Sequence, residues 1–153
     1  MVVANFILFQ VIWFACVMGA GYGYPLLGPA VAIICIGIQF FISTEIKKSL
    51  FILLLIGILG SIGDSVLFYF DVFSFPEHAT NPQNIAWTYP IWMTALWLGF
   101  ASTYNISMKW LQNKYALQVI FGFIGGPASY YAGTKLGAIA IDGTINFVIV
   151  GIF

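Results

Sequence analysis

A single acidic residue, Asp64, lies within an otherwise apolar run of the chain, SLFILLLIGILGSIGDSVLFYF. A charged side chain at the centre of a membrane helix costs about 2.5–3.5 kcal/mol on insertion scales, so such residues are retained for a reason. One interpretation is a structural acid that is hydrogen-bonded to Tyr130 or to a free backbone carbonyl. The other is a group that works in catalysis, proton transfer or ligand binding.

A second polar cluster lies in the segment GFIGGPASYYAG, where Pro127 leaves a backbone carbonyl without its helical partner. At ~1.5 Å per residue, Asp64 is ~22 Å along a helix that begins near residue 49. Ser129 is ~18 Å along a helix that begins near residue 117. We therefore predict one site in the outer half of the membrane, with the candidate ligand-binding residues Trp92, Trp97, Ser129 and Tyr130 around Asp64.

Asp142 is the second acid in an apolar region, next to Gly143. It either begins a helix near the outer interface, where Asp is favoured as an N-cap, or faces Asp64 across the bundle. Two neighbouring carboxyl groups titrate as a coupled pair, which suits acid–base hydrolysis. Asp64 and Asp142 are therefore the candidate catalytic residues, and the sequence leaves open whether the protein is an enzyme.

The other residues that bind metals or cofactors are too few to form a site. His78 is the only histidine, beside Glu77, and a metal needs three or four ligands. Cys16 and Cys35 lie in apolar runs at no metal-binding spacing, so we expect two buried free thiols. The chain carries no nucleophile motif, phosphate-binding loop or dinucleotide fingerprint. We predict no metal and no cofactor.

The composition places these residues in a membrane. Hydrophobic residues make up 61% of the chain and charged residues 7%, whereas a soluble domain carries about 25% charged residues. The mean hydropathy is +1.00. We therefore predict an all-α, polytopic transmembrane bundle that forms a single integral-membrane domain over residues 1–153. The formal net charge is zero, which excludes a basic face for nucleic acid.

The apolar runs predict six membrane spans, since about 20 apolar residues cross a bilayer. The predicted spans cover residues 3–20, 26–42, 50–70, 91–107, 117–133 and 136–153. Most connections between them are short. The one long connection, residues 71–90, is rich in Pro and Asn.

The lysines orient these spans. Lys47 and Lys48 lie between the second and third spans, and Lys109 and Lys114 lie between the fourth and fifth. Lysines accumulate on the cytoplasmic side, so we predict that both loops face the cytoplasm. An even number of spans places both termini there too, in a bacterial inner membrane. The outer interface would carry the aromatic anchors Trp87, Tyr89 and Trp92.

Small and amide residues indicate where the helices approach one another. Gly57, Gly60 and Gly63 form a strip, as do Gly122 and Gly126, and such strips let helices pack closely or dock a protein partner. Gly60 and Asp64 are four residues apart and share a helix face, which turns Asp64 into the bundle. In the inner half, interhelical hydrogen bonds are expected among Asn5, Gln10, Gln39, Thr103 and Asn105.

Four segments carry a family resemblance: NFILFQVIWFACVMGA, SIGDSVLFYFDVFSF, PIWMTALWLGFASTYNISMKWL and GGPASYYAGTKLGA. In this order they resemble a bacterial family of small inner-membrane proteins, catalogued as domain of unknown function twenty-eight seventy-eight. The resemblance implies the fold and the location, and it implies no reaction. The GD of SIGDSVLF is also similar to the intramembrane GD of the lysoplasmalogenase-like family, which are membrane hydrolases of lysolipids. That family has a second acid late in the chain, as Asp142 is here.

Three functions from different classes are consistent with these features. The first is a protein that binds or modifies a lipid or another hydrophobic small molecule around Asp64. The second is a non-catalytic subunit or assembly partner that docks through its glycine strips. The third is a small transporter in which Asp64 carries the proton.

Overall fold

The computed structural model describes residues 1–80, 89–141, 143 and 149–150. Over these residues the chain is helical, and its only β-type pairing is an isolated antiparallel bridge between Ser74 and Ala140. The α-helices of the described part are α1 (Val2–Gly21), α2 (Leu27–Ile42), α3 (Thr44–Lys48), α4 (Leu50–Tyr69), α5 (Ile91–Ala101) and α6 (Tyr115–Lys135). The predicted all-α class is confirmed in this part of the chain.

Four of the predicted helices are confirmed to within two residues at either end. They are the predicted spans 3–20, 26–42, 50–70 and 117–133, which correspond to α1, α2, α4 and α6. Long apolar runs without internal breaks form helices readily, because each helix satisfies its own backbone hydrogen bonds. The Pro127 ring lies within α6 and does not end it.

The fourth predicted helix is shorter than expected, because α5 ends at Ala101 rather than at residue 107. Beyond it the side chains of Ser102 and Thr103 donate to the carbonyl oxygens of Gly99 and Phe100, at 2.7 and 2.6 Å. The backbone tightens into successive three-residue turns, such as Thr103 N–H to the Phe100 carbonyl. Hydroxyl side chains that bond to the local backbone compete with a regular helix in this way.

The predicted start of the sixth span, at residue 136, is wrong. Gly137 adopts a φ of +75° and ends α6, with Ala138 N–H bonded to the Gly133 carbonyl and Gly137 N–H to that of Thr134. This is the Schellman pattern, in which the residue after the helix has a positive φ. Glycine is favoured at that position because it has no Cβ to oppose a positive φ. Residues 138–141 then run without helix. The rest of the predicted span, apart from residues 143, 149 and 150, lies outside the described residues.

Helix α5 lies at the centre of the packing and contacts α1, α2 and α4. Two glycines allow close approach: a Cβ on Gly99 would lie 2.8 Å from Ile12, and one on Gly28 would lie 2.5 Å from the Cα of Cys16. Both Cys16 and Cys35 are buried free thiols, as predicted.

Side-chain contacts define two ends of the helix packing. At the first, which we call the lysine end, Asn105 bonds to Ser49, beside Lys47 and Lys48, and Asn5 bonds to Gln39 and to the Ser102 carbonyl. At the second, which we call the histidine end, His78 Nε2 lies 3.0 Å from the Gly137 carbonyl oxygen and Ser74 pairs with Ala140. Helix α4 runs from the lysine end to the histidine end, and Asp64 lies five residues before its last residue.

The described surface is rich in large apolar side chains. Phe41 is 90% exposed, Phe51 75% and Ile33 74%. Two helices, α1 and α4, are long and apolar enough to cross a membrane by length and composition, and α2 and α5 are shorter apolar helices. Isolated exposed apolar residues are normal on any protein, but a surface of this kind indicates an apolar environment or partner.

Candidate functional site

Three side chains donate hydrogen bonds to the carboxyl group of Asp64. The indole Nε1 of Trp97 lies 2.6 Å from Oδ2, and the hydroxyl of Tyr89 lies 3.1 Å from the same oxygen. The hydroxyl of Tyr130 donates to Oδ1. Asp64 itself is only 3% exposed. The acid is therefore a buried junction of α4, α5, α6 and the segment before α5, which we call the Asp64 centre (Asp64, Tyr89, Trp97 and Tyr130).

Gly60 makes room for the indole that reaches Asp64. A Cβ on Gly60 would collide with the Trp97 ring, so a side chain at this position excludes the observed indole. Gly57, one turn earlier, meets Leu98 in the same way, at 2.5 Å from an added Cβ. The predicted shared face of Gly60 and Asp64 is thus the face that packs on α5, and the small residues there let the two helices approach.

Aromatic rings surround the centre on the side of the histidine end. The ring of Phe73 lies 5.6 Å from that of Tyr130, and the ring of Phe75 lies 6.1 Å from Tyr89 and 5.9 Å from Trp92, centroid to centroid. Ring pairs at these separations and tilts attract one another beyond the area they bury. The cluster holds the two phenols in place and keeps water from the carboxyl group.

No cation balances the acid among the residues that the structure describes. The only ion pair recorded there joins Lys48 to Glu45, at the opposite end of α4. Lys135, at the end of α6, instead lies over the ring of Tyr131, 5.3 Å from its centroid. The two oxygens of the carboxyl group instead accept from the three neutral donors that surround it.

The phenol of Tyr89 keeps its proton in this setting. Burial raises its pKa, and the neighbouring Asp64 raises it further through charge and hydrogen bonding. Tyr89 therefore acts as a donor to Asp64 at any ordinary pH. It lies outside the helices, in the segment just before α5.

The structure brings together two of the four predicted ligand-binding residues at Asp64. Trp97 and Tyr130 bond to the acid. Ser129 accepts a bond from Trp13 Nε1, at 3.0 Å, and so links α6 to α1 instead. Trp92 is 1% exposed and donates to the carbonyl oxygen of Ala79, at 2.9 Å. Asp142, the second candidate catalytic acid, lies outside the described residues, as does the predicted anchor Trp87.

Tyr89 is the residue of the centre that sequence reasoning assigned elsewhere. Its place beside Pro90 and Trp92 is typical of an interface anchor, and nothing in the spacing points from residue 89 to residue 64. A chemical signal was present, because a buried acid in a chain without arginine needs hydroxyl or N–H donors, and tyrosine is one of them.

The centre combines one carboxyl group with three neutral hydrogen-bond donors. Within the described ranges, no group of three His, Cys, Asp or Glu residues is placed to hold a metal ion. The centre therefore holds a carboxyl group between neutral hydrogen-bond donors and aromatic walls.

Comparisons with known proteins place the chain in one family. No curated protein and no solved structure matches it. The family model described as "Protein of unknown function (DUF2878)" matches residues 2–153, which is nearly the whole chain. The chain therefore belongs to this family, the one that its four motifs resemble.

Proposed function

We propose that this protein is a multi-pass protein of the bacterial inner membrane whose Asp64 centre binds the polar group of a lipid or another hydrophobic small molecule. The proposal includes six spans and both termini on the cytoplasmic side. It rests on two features, the apolar surface and the composition of the Asp64 centre.

The exposure of the long helices supports a membrane location. Over their most apolar 18 residues, only 28% of α1 and 22% of α4 are buried within the protein. The core helix of a soluble protein is mostly buried, whereas a membrane helix presents apolar side chains to lipid. The lysine end supports the orientation, since Asn105 and Ser49 join the two loops that carry four of the five lysines.

The observation that carries the binding proposal is a buried acid, Asp64, that has three neutral hydrogen-bond donors. Among the described residues, no positively charged side chain forms an ion pair with it. A buried carboxylate that serves only structure is normally paired with a cation, because an uncompensated charge is costly in an apolar environment. Neutral donors relieve only part of the cost of ionising Asp64. A ligand that brings an amine, a hydroxyl or a proton to Asp64 would relieve the remainder, which favours binding of such a group.

The aromatic residues around Asp64 support a hydrophobic ligand with a polar end. Tyrosine and tryptophan present an apolar ring together with one hydrogen-bond donor, which suits the boundary between an acyl chain and a head group. Phe73 and Phe75 extend this apolar wall. Sites for small molecules are commonly built in this way, with apolar walls and a few converging polar groups.

The test is native mass spectrometry of the protein extracted in mild detergent, for the wild type, Asp64→Asn and Asp71→Asn. Asp71→Asn is the matched control: it also removes one carboxylate, Asp71 is exposed, and its φ of +56° suits asparagine. We expect a small hydrophobic molecule to be retained by the wild type and by Asp71→Asn, and to be lost from Asp64→Asn.

Circular dichroism and thermal unfolding of the same three proteins show whether Asp64→Asn still folds. Retention of the molecule by a folded Asp64→Asn protein contradicts the binding proposal. A fixed stoichiometric protein partner in place of a small molecule also contradicts it and makes the chain a subunit. A bare wild-type monomer contradicts the proposal as well and leaves transport to be assayed.

A further inference from the structure

A second polar cluster lies at the lysine end, away from Asp64, and its centre is Asn5. The Oδ1 atom of Asn5 accepts from the Ser107 backbone N–H at 3.2 Å and from the Ser107 hydroxyl at 2.6 Å. Its Nδ2 donates to the Ser102 carbonyl at 3.1 Å and to Gln39 Oε1 at 2.8 Å. A backbone N–H only donates and a backbone carbonyl only accepts, so these contacts fix which end of the Asn5 amide is oxygen.

The orientation of Asn5 fixes that of Gln39. Because Asn5 Nδ2 is a donor, the Gln39 atom that faces it must be the oxygen. The Nε2 of Gln39 therefore points away from Asn5, and it has no hydrogen-bond partner although Gln39 is only 1% exposed. An unmet buried N–H is costly, and in most proteins such a group is bound to something.

Ser43 is the second buried residue here with an unpartnered polar atom. Its hydroxyl has no partner, and the residue is 3% exposed. Ser43 follows Gln39 by four residues at the end of α2, and its backbone N–H donates to the Gln39 carbonyl at 2.9 Å. The two side chains therefore lie one turn apart on the same side of the helix.

Both side chains line one cavity at this end of the protein. Its volume is about 10 Å³, which is room for one water-sized oxygen. The remaining wall is formed by Asn5 and by the apolar residues Met1, Leu8, Ile42 and Ile106. No lining side chain is charged, and the polar side chains in the wall are amides and one hydroxyl.

We propose that Gln39 and Ser43 form a binding site for one hydroxyl oxygen. A hydroxyl oxygen has lone pairs for the Gln39 N–H and exchanges a further hydrogen bond with the Ser43 hydroxyl. Two sources have this chemistry: a water molecule, and the hydroxyl of a lipid head group that enters from the membrane interface. The bound oxygen completes the Asn5 cluster, which links α1, α2 and the turns after α5.

The first test is nuclear magnetic resonance of the full chain with ¹⁵N-labelled glutamine, in bilayer discs of two lipids. One disc contains phosphatidylcholine, which has no free hydroxyl, and the other contains phosphatidylglycerol, which has two. The chain has five glutamines, and Gln39→Leu identifies the Gln39 side-chain amide signal by its loss. Gln118, whose Nε2 donates to the Leu111 carbonyl, is the internal control.

The cross-peaks of the Gln39 amide protons distinguish the two sources. Cross-peaks to water in both discs assign the site to water. Cross-peaks to glycerol head-group protons in the phosphatidylglycerol disc assign it to a lipid hydroxyl. Cross-peaks to protein protons alone, in both discs, overturn the proposal.

The second test is the direction of the change in melting temperature for Ser43→Ala. If the hydroxyl of Ser43 binds an oxygen, its removal lowers the melting temperature, because a hydrogen bond is lost. If the hydroxyl has no partner, its removal takes away the desolvation cost of an unpaired buried polar group. The melting temperature then stays the same or rises, and this result overturns the proposal. Ser107→Ala, which removes a hydroxyl bonded to Asn5, lowers the melting temperature in either case and is the comparison.

Discussion

At the scale of the residue, Asp64 is defined by what donates to it. Tyr89, Trp97 and Tyr130 each donate one hydrogen bond to it, and all three side chains are uncharged. A buried hydrogen bond contributes to stability, so each of the three holds its helix or segment to α4 as well as shaping the site. The same contacts thus serve stability and set the chemistry of the acid.

Removal of one donor should therefore cost stability. We expect Tyr130→Phe to destabilise the protein by about 1–3 kcal/mol, the typical cost of leaving a buried acceptor without its donor. Tyr115→Phe is the matched control; this tyrosine lies in the same helix, α6, and is 74% exposed. We expect its effect to stay within about 0.5 kcal/mol. Denaturant unfolding in detergent measures both, and equal effects would contradict a special role for Tyr130.

At the scale of the element, α4 and α5 are matched by glycines on one helix and large side chains on the other. Gly57 receives Leu98 and Gly60 receives Trp97. Two glycines of α6 behave differently, because a Cβ on Gly122 or Gly125 would meet nothing within 4 Å in the described structure. Glycine therefore packs against a large side chain on α4, whereas these two positions of α6 meet no neighbour among the described residues.

Alanine at these two kinds of glycine should have opposite effects. Gly60→Ala forces the Trp97 ring away from Asp64, and we expect it to destabilise the protein by about 1–3 kcal/mol, as overpacking does. Gly122→Ala adds a methyl group that no described residue would touch, and it raises helix propensity, so we expect a change between zero and about 1 kcal/mol of stabilisation. Thermal unfolding measures both. A destabilised Gly122→Ala protein would show that α6 packs against a partner through this face.

At the scale of the whole molecule, the two ends differ in charge. Four of the five lysines lie in loops that meet at the lysine end, and Lys135 lies at the end of α6 that leads to the histidine end. If the chain crosses the bacterial inner membrane as proposed, the lysine end faces the cytoplasm. The Asp64 centre then lies in the outer half, because α4 reaches it after most of its length.

Labelling of cysteines at the two ends tests this orientation. Lys47→Cys and Lys135→Cys are matched variants, since both positions are exposed and the two native thiols, Cys16 and Cys35, are buried. In spheroplasts, a membrane-impermeant maleimide should label Lys135→Cys at once and Lys47→Cys only after the membrane is opened. The reverse pattern would invert the topology, and labelling of both in closed spheroplasts would contradict a membrane-spanning arrangement.

The sequence by itself determined the helical class, the bounds of four helices, the buried thiols and the helix face that carries Asp64. These properties depend on local pattern: long apolar runs, and the spacing of Gly60 from Asp64. Local pattern also gave two wrong helix boundaries. Helix α5 ends before Ser102 and Thr103, and Gly137 ends α6, although hydropathy alone would continue the helix at both places.

The tertiary structure decided which side chains meet. The donors to Asp64 are 25, 33 and 66 residues away in the chain, on elements whose rotation about their own axes no local pattern specifies. From the sequence, Trp92 and Trp97 are equally good candidates for a contact with Asp64. In the structure Trp92 donates to the Ala79 carbonyl, and Trp97 donates to Asp64. The choice follows from how α5 is rotated against α4, which is set by the fit of Trp97 over Gly60.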